Sequence, residues 1–246
     1  MKVLGECEKA RLYLESHSQI ISEEEFNERK IRGGPFITIS RETGVPEALI
    51  YERLLKYLQK IYGEKKWRFF DKELIDKILN EHNLPIYFKN MLIEDKYSAV
   101  KSIASQMLGT GSDIWNLFYK VRTTIIHLAE AGYVIIIGRG ANIITAKLPG
   151  GLHIRLIASL QNRINYISKC LNIDKGEAIK YIKKEDQRRK VFLQTYYNKN
   201  VEDPTFYHAV INTDFTGIEG TAKLIAASTK QMPVNYIHEN MELSSF

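Results

Sequence analysis

Residues 36–51 read FITISRETGVPEALIY. Phe36–Ser40 predicts a short buried strand, Arg41-Glu42-Thr43-Gly44-Val45-Pro46 a tight turn, and Ala48–Leu55 the opening of a helix. A strand, a glycine-containing turn and a helix N-terminus bring backbone N–H groups and the helix dipole to one point, an arrangement that suits an anion. Gly44 allows close backbone approach, Thr43 adds a hydroxyl, and Arg41 adds a cation at the strand end. Two residues work against an external anion. Pro46 lacks an N–H and suits the first turn of a helix, and Glu47 already complements the dipole from inside that turn. A like charge about 4 Å from a phosphate oxygen costs on the order of 4 kcal/mol at an effective dielectric of ~20. The stretch therefore reads as a loop able to fill its own anion site, and on its own a structural strand-to-helix turn explains it better than a ligand site does.

The bulk properties narrow the class. A chain of 246 residues can bury a substantial core in one large or two small domains. No apolar run reaches the length of a membrane span. Met1–Glu8 carries charges where a secretion signal needs an apolar stretch. Cys7 and Cys170 form neither a disulfide framework nor a metal-ligand spacing, so no metal site is expected from them. Together these features lead to the expectation of a cytoplasmic, reduced protein without a membrane partner. A net charge of +6 suits phosphate-bearing partners, although a mildly basic soluble surface accounts for it more simply. No zinc knuckle, aromatic ribonucleoprotein motif or long basic tract argues for a nucleic-acid module.

Strands and helices alternate along the chain. Strands are expected at Phe36–Ser40, Trp67–Phe70, Val134–Ile137, His153–Ile157 and His208–Ile211. Helices are expected over Pro46–Tyr62, Lys72–Glu81, Lys96–Leu108, Asp113–Glu130, Leu160–Leu171, Lys175–Thr195 and Gly217–Ser228. This alternation implies a parallel sheet with helical crossovers. Residues 1–34 read as an N-terminal helical arm, with a Ser22–Glu25 capping box stapled by Ile21 and Phe26. Residues 35–230 form the main domain, in which 83–130 is a helical insert and 174–203 a lid region, and residues 231–246 are a polar tail. Ile114, Leu117, Val121, Ile125 and Leu128 follow helical spacing, which suits packing on the core, with a homodimer seam as the alternative.

Further segments fall where open α/β sheets place ligands, at the carboxyl ends of strands. Asp71 follows an aromatic strand and is placed to cap the next helix. Val134–Ile137 runs into Gly138-Arg139-Gly140-Ala141-Asn142, where the glycines admit a ligand and Arg139 can grip a phosphate with two hydrogen bonds. A surface ion pair would explain Arg139 equally well. Residues 183–190, KKEDQRRK, put several cations on one helix, with Asp186 and Arg189 spaced to pair. Such a run is commonly a solvated face, but a mobile arginine segment can also close over phosphates. Thr216 and Glu219 have capping-box spacing after a strand that ends near Asn212-Thr213-Asp214.

In order, ITISRETG, FFDKELI, VIIIGRGANIIT, PGGLHIRLIASLQNRI, KEDQRRKVF and DPTFYHAVINTD resemble the cytidylate kinase-like family of the P-loop nucleoside monophosphate kinases, over about Phe36–Ser228. The resemblance implies an α/β fold: a P-loop-type parallel sheet of about five strands flanked by helices, with a lid. It implies phosphoryl transfer from ATP, with Mg²⁺, to a pyrimidine nucleoside monophosphate such as CMP or dCMP. Arg41, Thr43 and Gly44 would then lie in the phosphate loop, and Asn212, Thr213 and Asp214 near the donor base. Asp71, Arg139 and Asn142 would meet the acceptor, and Arg139, Arg188 and Arg189 would stabilise charge in transfer. Glu47 stands where the family's loop lysine is expected, and Leu49 where its Mg²⁺-binding hydroxyl is expected. Two readings therefore stay open: a working kinase, or a nucleotide-binding or regulatory module that kept the fold without the loop chemistry.

Overall fold

A computed structural model describes residues 34–63, 65–71 and 111–232. The arm, the helices expected over 72–81 and 96–108, and the tail beyond 232 lie outside the described residues. The strands are β1 (Phe36–Arg41), β2 (Arg68–Phe70), β3 (Val134–Ile137), β4 (Gly151–Ile157) and β5 (Ala209–Asn212). The helices are α1 (Glu47–Tyr62), α2 (Gly111–Ala131), α3 (Ala141–Ile144), α4 (Leu160–Leu171), α5 (Lys175–Tyr197) and α6 (Thr213–Ser228). Among the described residues, no helix is long and apolar enough to cross a membrane.

The strands form one parallel sheet in the order β2-β3-β1-β4-β5. β1 is central, and the chain passes from one side of it to the other between β3 and β4. Residue alternation gives the sheet two different faces. Ile37, Ile39, Ile135, Ile137, Leu152, Ile154 and Leu156 point into one core with Ile50, Leu54 and Leu58 of α1 and Ala222, Ile225 and Ala226 of α6. Each of these isoleucines and leucines contributes about 1.5–3 kcal/mol through burial. A one-residue slip would drive Thr38, Ser40 and Arg155 into that core, so the register Ile39↔Ile154, Ser40↔Arg155 is strongly fixed. The opposite face carries polar groups, including a hydrogen bond of 2.8 Å between Thr38 Oγ1 and His153 Nδ1. Val121, Ile125 and Leu128 of α2 are buried within the chain.

Local signals explain the helix ends. The Ser159 hydroxyl accepts from Asn162 N at the start of α4, and Asn172 closes the helix in a left-handed conformation. Asp174 and Asn198 do the same for α5. The start of α6 differs from the expectation of Gly217. Asn212 caps it by accepting from Asp214 N at 3.0 Å, so helix begins at Thr213. Gly217 (φ 62°, ψ 178°) is a non-helical break inside it. The expected Thr216/Glu219 capping box does not form. Thr216 Oγ1 instead donates to the Asn212 carbonyl and bonds Thr221, while the Glu219 carboxylate accepts from Tyr57 on α1.

Candidate active site

The loop after β1 spends its hydrogen bonds on the protein itself. Glu42 N donates to the Leu156 carbonyl at 3.0 Å, Val45 N to Glu42 O at 3.4 Å and Glu47 N to Val45 O at 2.7 Å, while Pro46 has no donor. The Glu42 carboxylate accepts from Ala158 N at 3.1 Å, tying the turn to the end of β4. Gly44 sits at φ 92°, and a Cβ there would lie 2.8 Å from the Arg163 carbonyl oxygen. Glycine is thus required by the close approach of α4.

Two carboxylates occupy this loop. The Arg41 guanidinium grips Glu47 at two points, with the Nη2–Oε1 contact at 3.2 Å, and Tyr51 Oη donates to Glu47 Oε2 at 3.2 Å. Burial, followed by the Glu47 charge, pushes the Tyr51 phenol well above its usual range. The second carboxylate arrives from α5. Thr43 N and Thr43 Oγ1 each donate to Asp186 Oδ1 at 2.8 Å. Arg163 Nη1 donates to Asp186 Oδ2 at 2.6 Å and to the Thr43 carbonyl at 3.3 Å. Arg189 Nη1 donates to Asp186 Oδ1 at 3.2 Å and also to Thr43 Oγ1. A carboxylate held by a loop amide, a hydroxyl and two guanidiniums is in the environment a phosphate would seek.

Beside the loop, at the carboxyl ends of β1 and β3, lies a cleft of about 680 Å³ with its open mouth included. Thr38 and Ser40 form part of one wall, Gly138–Asn142 another, and Arg189, Phe192 and Leu193 of α5 a third. Arg139 is 5% exposed and lies over the Phe192 ring, 5.9 Å from its centroid. Gly138, Arg139 and Gly140 all have positive φ (71°, 57° and 67°), a left-handed turn that is costly for the arginine. A Cβ on Gly140 would come within 2.8 Å of Tyr197 and 3.0 Å of Leu193, so this turn fits directly beneath the end of α5. Burial pushes the Tyr197 phenol up to about 12.

The expected residues fall into distinct groups. Arg41, Arg139, Asn142 and Arg189 line the cleft together, and Asn142 Nδ2 also donates to the Phe206 carbonyl at 3.3 Å. Thr43 and Gly44 lie in the adjoining loop. Arg188 pairs with Glu185 on its own helix and is not a cleft-lining residue. Asp71 follows β2 and is not among the cleft-lining residues. Asn212, Thr213 and Asp214 knit β5–α6 to β4–α4: Thr213 Oγ1 donates to Ile157 O at 3.1 Å, and Ser159 N donates to Asp214 Oδ2 at 2.8 Å. Sequence reasoning missed Arg163, which resembles one more polar residue on an amphipathic helix, and Ser40. It paired Asp186 with Arg189 but gave no sign that Asp186 reaches the loop. Among the described residues, no group of three or more His, Cys, Asp or Glu could hold a metal ion.

Comparisons with known proteins bear on the family and the fold. The model of the cytidylate kinase-like family matches residues 36–215. A cytidylate kinase from Methanocaldococcus jannaschii is 30% identical over 105 residues, 42% of this chain and 59% of that enzyme, so the match spans less than two thirds of the relative's length. The crystal structure of an uncharacterized protein from Eubacterium ventriosum shares the fold, with a TM-score of 0.59 at 18% identity, covering 80% of this chain and 98% of that one. With most of the described domain inside the match, the chain belongs to the cytidylate kinase-like family.

Proposed function

We propose that the protein is a nucleotide-binding member of its family that takes a pyrimidine nucleoside monophosphate in the Arg139 cleft while its own carboxylates hold the donor loop shut. The observation that carries this reading is Asp186 Oδ1, 2.8 Å from both Thr43 N and Thr43 Oγ1. The loop as built does not fit ATP with Mg²⁺. Its anion-binding groups are engaged by Asp186 and Glu47, and Leu49, where the metal's hydroxyl ligand is expected, is an exposed apolar side chain (46%). The cleft is different in character. Arg139 is buried there beside Asn142, with Phe192 and Leu193 as apolar wall, a combination suited to a phosphate joined to a flat base. Calorimetry with CMP, dCMP and UMP tests the reading. Saturable binding by the wild type that weakens at least about tenfold in Arg139→Ala supports it; equal binding by both proteins counts against it.

Phosphoryl transfer from ATP to the same monophosphate is the second reading. It is favoured by Arg189, which lines the cleft and also touches the loop hydroxyl of Thr43, so that one guanidinium serves both halves of the site. A coupled nucleotide-turnover assay decides between the two readings, and phosphorylated acceptor formed by folded wild-type protein would establish the second.

A further inference from the structure

Arg155 lies in the middle of β4, 7% exposed, on the sheet face opposite Ile154 and Leu156. Its Nη1 donates to Ser40 Oγ at 3.4 Å, the long end of the hydrogen-bond range. Its guanidinium lies over the Tyr207 ring, 5.8 Å from the centroid. Neither partner carries a negative charge. Among the described residues, no carboxylate stands within ion-pair distance of Arg155. The neighbouring guanidiniums contrast with it: Arg41 has Glu47, Arg163 has Asp186 and Glu42, Arg188 has Glu185, and Arg189 has Asp186. A buried charge without a counter-charge is costly, and arginine cannot escape that cost by losing its proton.

The position of Arg155 points to where the missing charge comes from. Ser40 is paired with it in register and is itself a wall of the cleft. Tyr207, which covers the guanidinium, donates its hydroxyl to the Val201 carbonyl at 2.9 Å, and Val201 is another wall residue. Arg155 is not itself a lining residue: it stands on β4 next to Ser40, on the side of the central strand β1 opposite β3, whose following turn carries Arg139.

We propose that Arg155 is a second anion-recognition residue of the cleft, meeting an oxyanion of the bound phosphorylated small molecule beside Ser40. The inference rests on the reading that this cleft binds such a ligand. Ser40 then presents a hydroxyl to the same oxyanion, and the Tyr207 ring holds the guanidinium in place while the cleft is empty.

The test uses Arg155→Met, which keeps the volume and removes the charge, and Arg139→Ala. Melting temperature without ligand is read first, followed by the affinities for CMP and inorganic pyrophosphate. Arg155→Met is expected to melt at or above the wild-type temperature, because an uncompensated buried charge is gone. It is also expected to bind both probes about tenfold or more weakly. A variant that melts several degrees lower and binds both probes as the wild type does would overturn the proposal, since Arg155 would then be purely structural. So would a wild type that takes up neither probe. If Arg155→Met loses binding while Arg139→Ala does not, the assignment of Arg155 stands and the Arg139 reading of the cleft fails.

Discussion

Asp186 and Thr43 are 143 residues apart in the chain, yet one carboxylate oxygen of Asp186 accepts from both the backbone N–H and the hydroxyl of Thr43 at 2.8 Å. Arg163 and Arg189 complete the cradle. Helix α5 is thus fastened to the loop by an internal anion that takes up the Thr43 amide and hydroxyl donors.

Replacing Asp186 with Asn keeps the shape but removes the charge that two guanidiniums share. Asp186 is 31% exposed, so solvent screens part of the loss, and the expected destabilisation is about 1–2 kcal/mol. For a domain of this size that lowers the melting temperature by roughly 2–8 °C. Inorganic phosphate should restore much of it in Asp186→Asn and do little for the wild type. Equal stabilisation of both proteins by phosphate would contradict the internal-anion account.

Glu47→Gln should release Arg41 and remove a like charge from the loop. Because Arg41 already neutralises Glu47, the gain in ATP affinity is expected to be nearer tenfold than the thousandfold an unpaired charge would imply (about 1.4 kcal/mol per factor of ten). Tyr51 provides an independent readout. Burial is the main cause of its raised pKa and Glu47 the next, so the phenol should titrate lower in the variant but still above an ordinary tyrosine. Tyrosinate absorbance against pH measures this, and an unchanged curve would show that Glu47 does not act on Tyr51.

Gly140→Ala should cost about 2–4 kcal/mol, combining left-handed strain with overpacking against Tyr197 and Leu193. Since the turn carries Arg139, CMP binding should weaken along with stability. Chemical denaturation and calorimetry read the two effects, and a variant as stable as the wild type would mean that the contact beneath α5 relaxes freely.

Asp214 should contribute to the acid limb of stability. Hydrogen bonds from Ser159, then Asn162, hold its carboxyl below the usual carboxylate range. Its contribution is therefore present above about pH 4, the ordinary aspartate value, and is lost as pH falls through the lower folded value. Asp214→Asn should melt lower than the wild type near neutrality, and the gap should close in strong acid. A gap that does not change with pH would assign the effect to geometry alone.

Much of the fold was legible because its signals are local. Val134–Ile137 is a wholly apolar run, and Leu160–Leu171 lies between a serine cap and a left-handed asparagine. The loop was legible in part: Glu47 in the first helical turn already suggested a self-filled anion site, and Arg41 is its partner. The turn of helix at residues 213–216 was missed because Asn212 caps it ahead of the break at Gly217. Asp186 reaching Thr43 depends on how α5 folds back over the loop, which no local spacing encodes. Arg155 did leave a signal, since His153 and Arg155 alternate with apolar residues in a strand expected to be covered on both faces. A charge in such a strand needs a partner.

The most direct test of the central claim is a calorimetric titration of the wild-type protein with ATP and Mg²⁺, run beside one with CMP. Saturable heat is expected from CMP and none from ATP with Mg²⁺, because Asp186 and Glu47 already occupy the loop. Tight, Mg²⁺-dependent ATP binding by the wild type would contradict it.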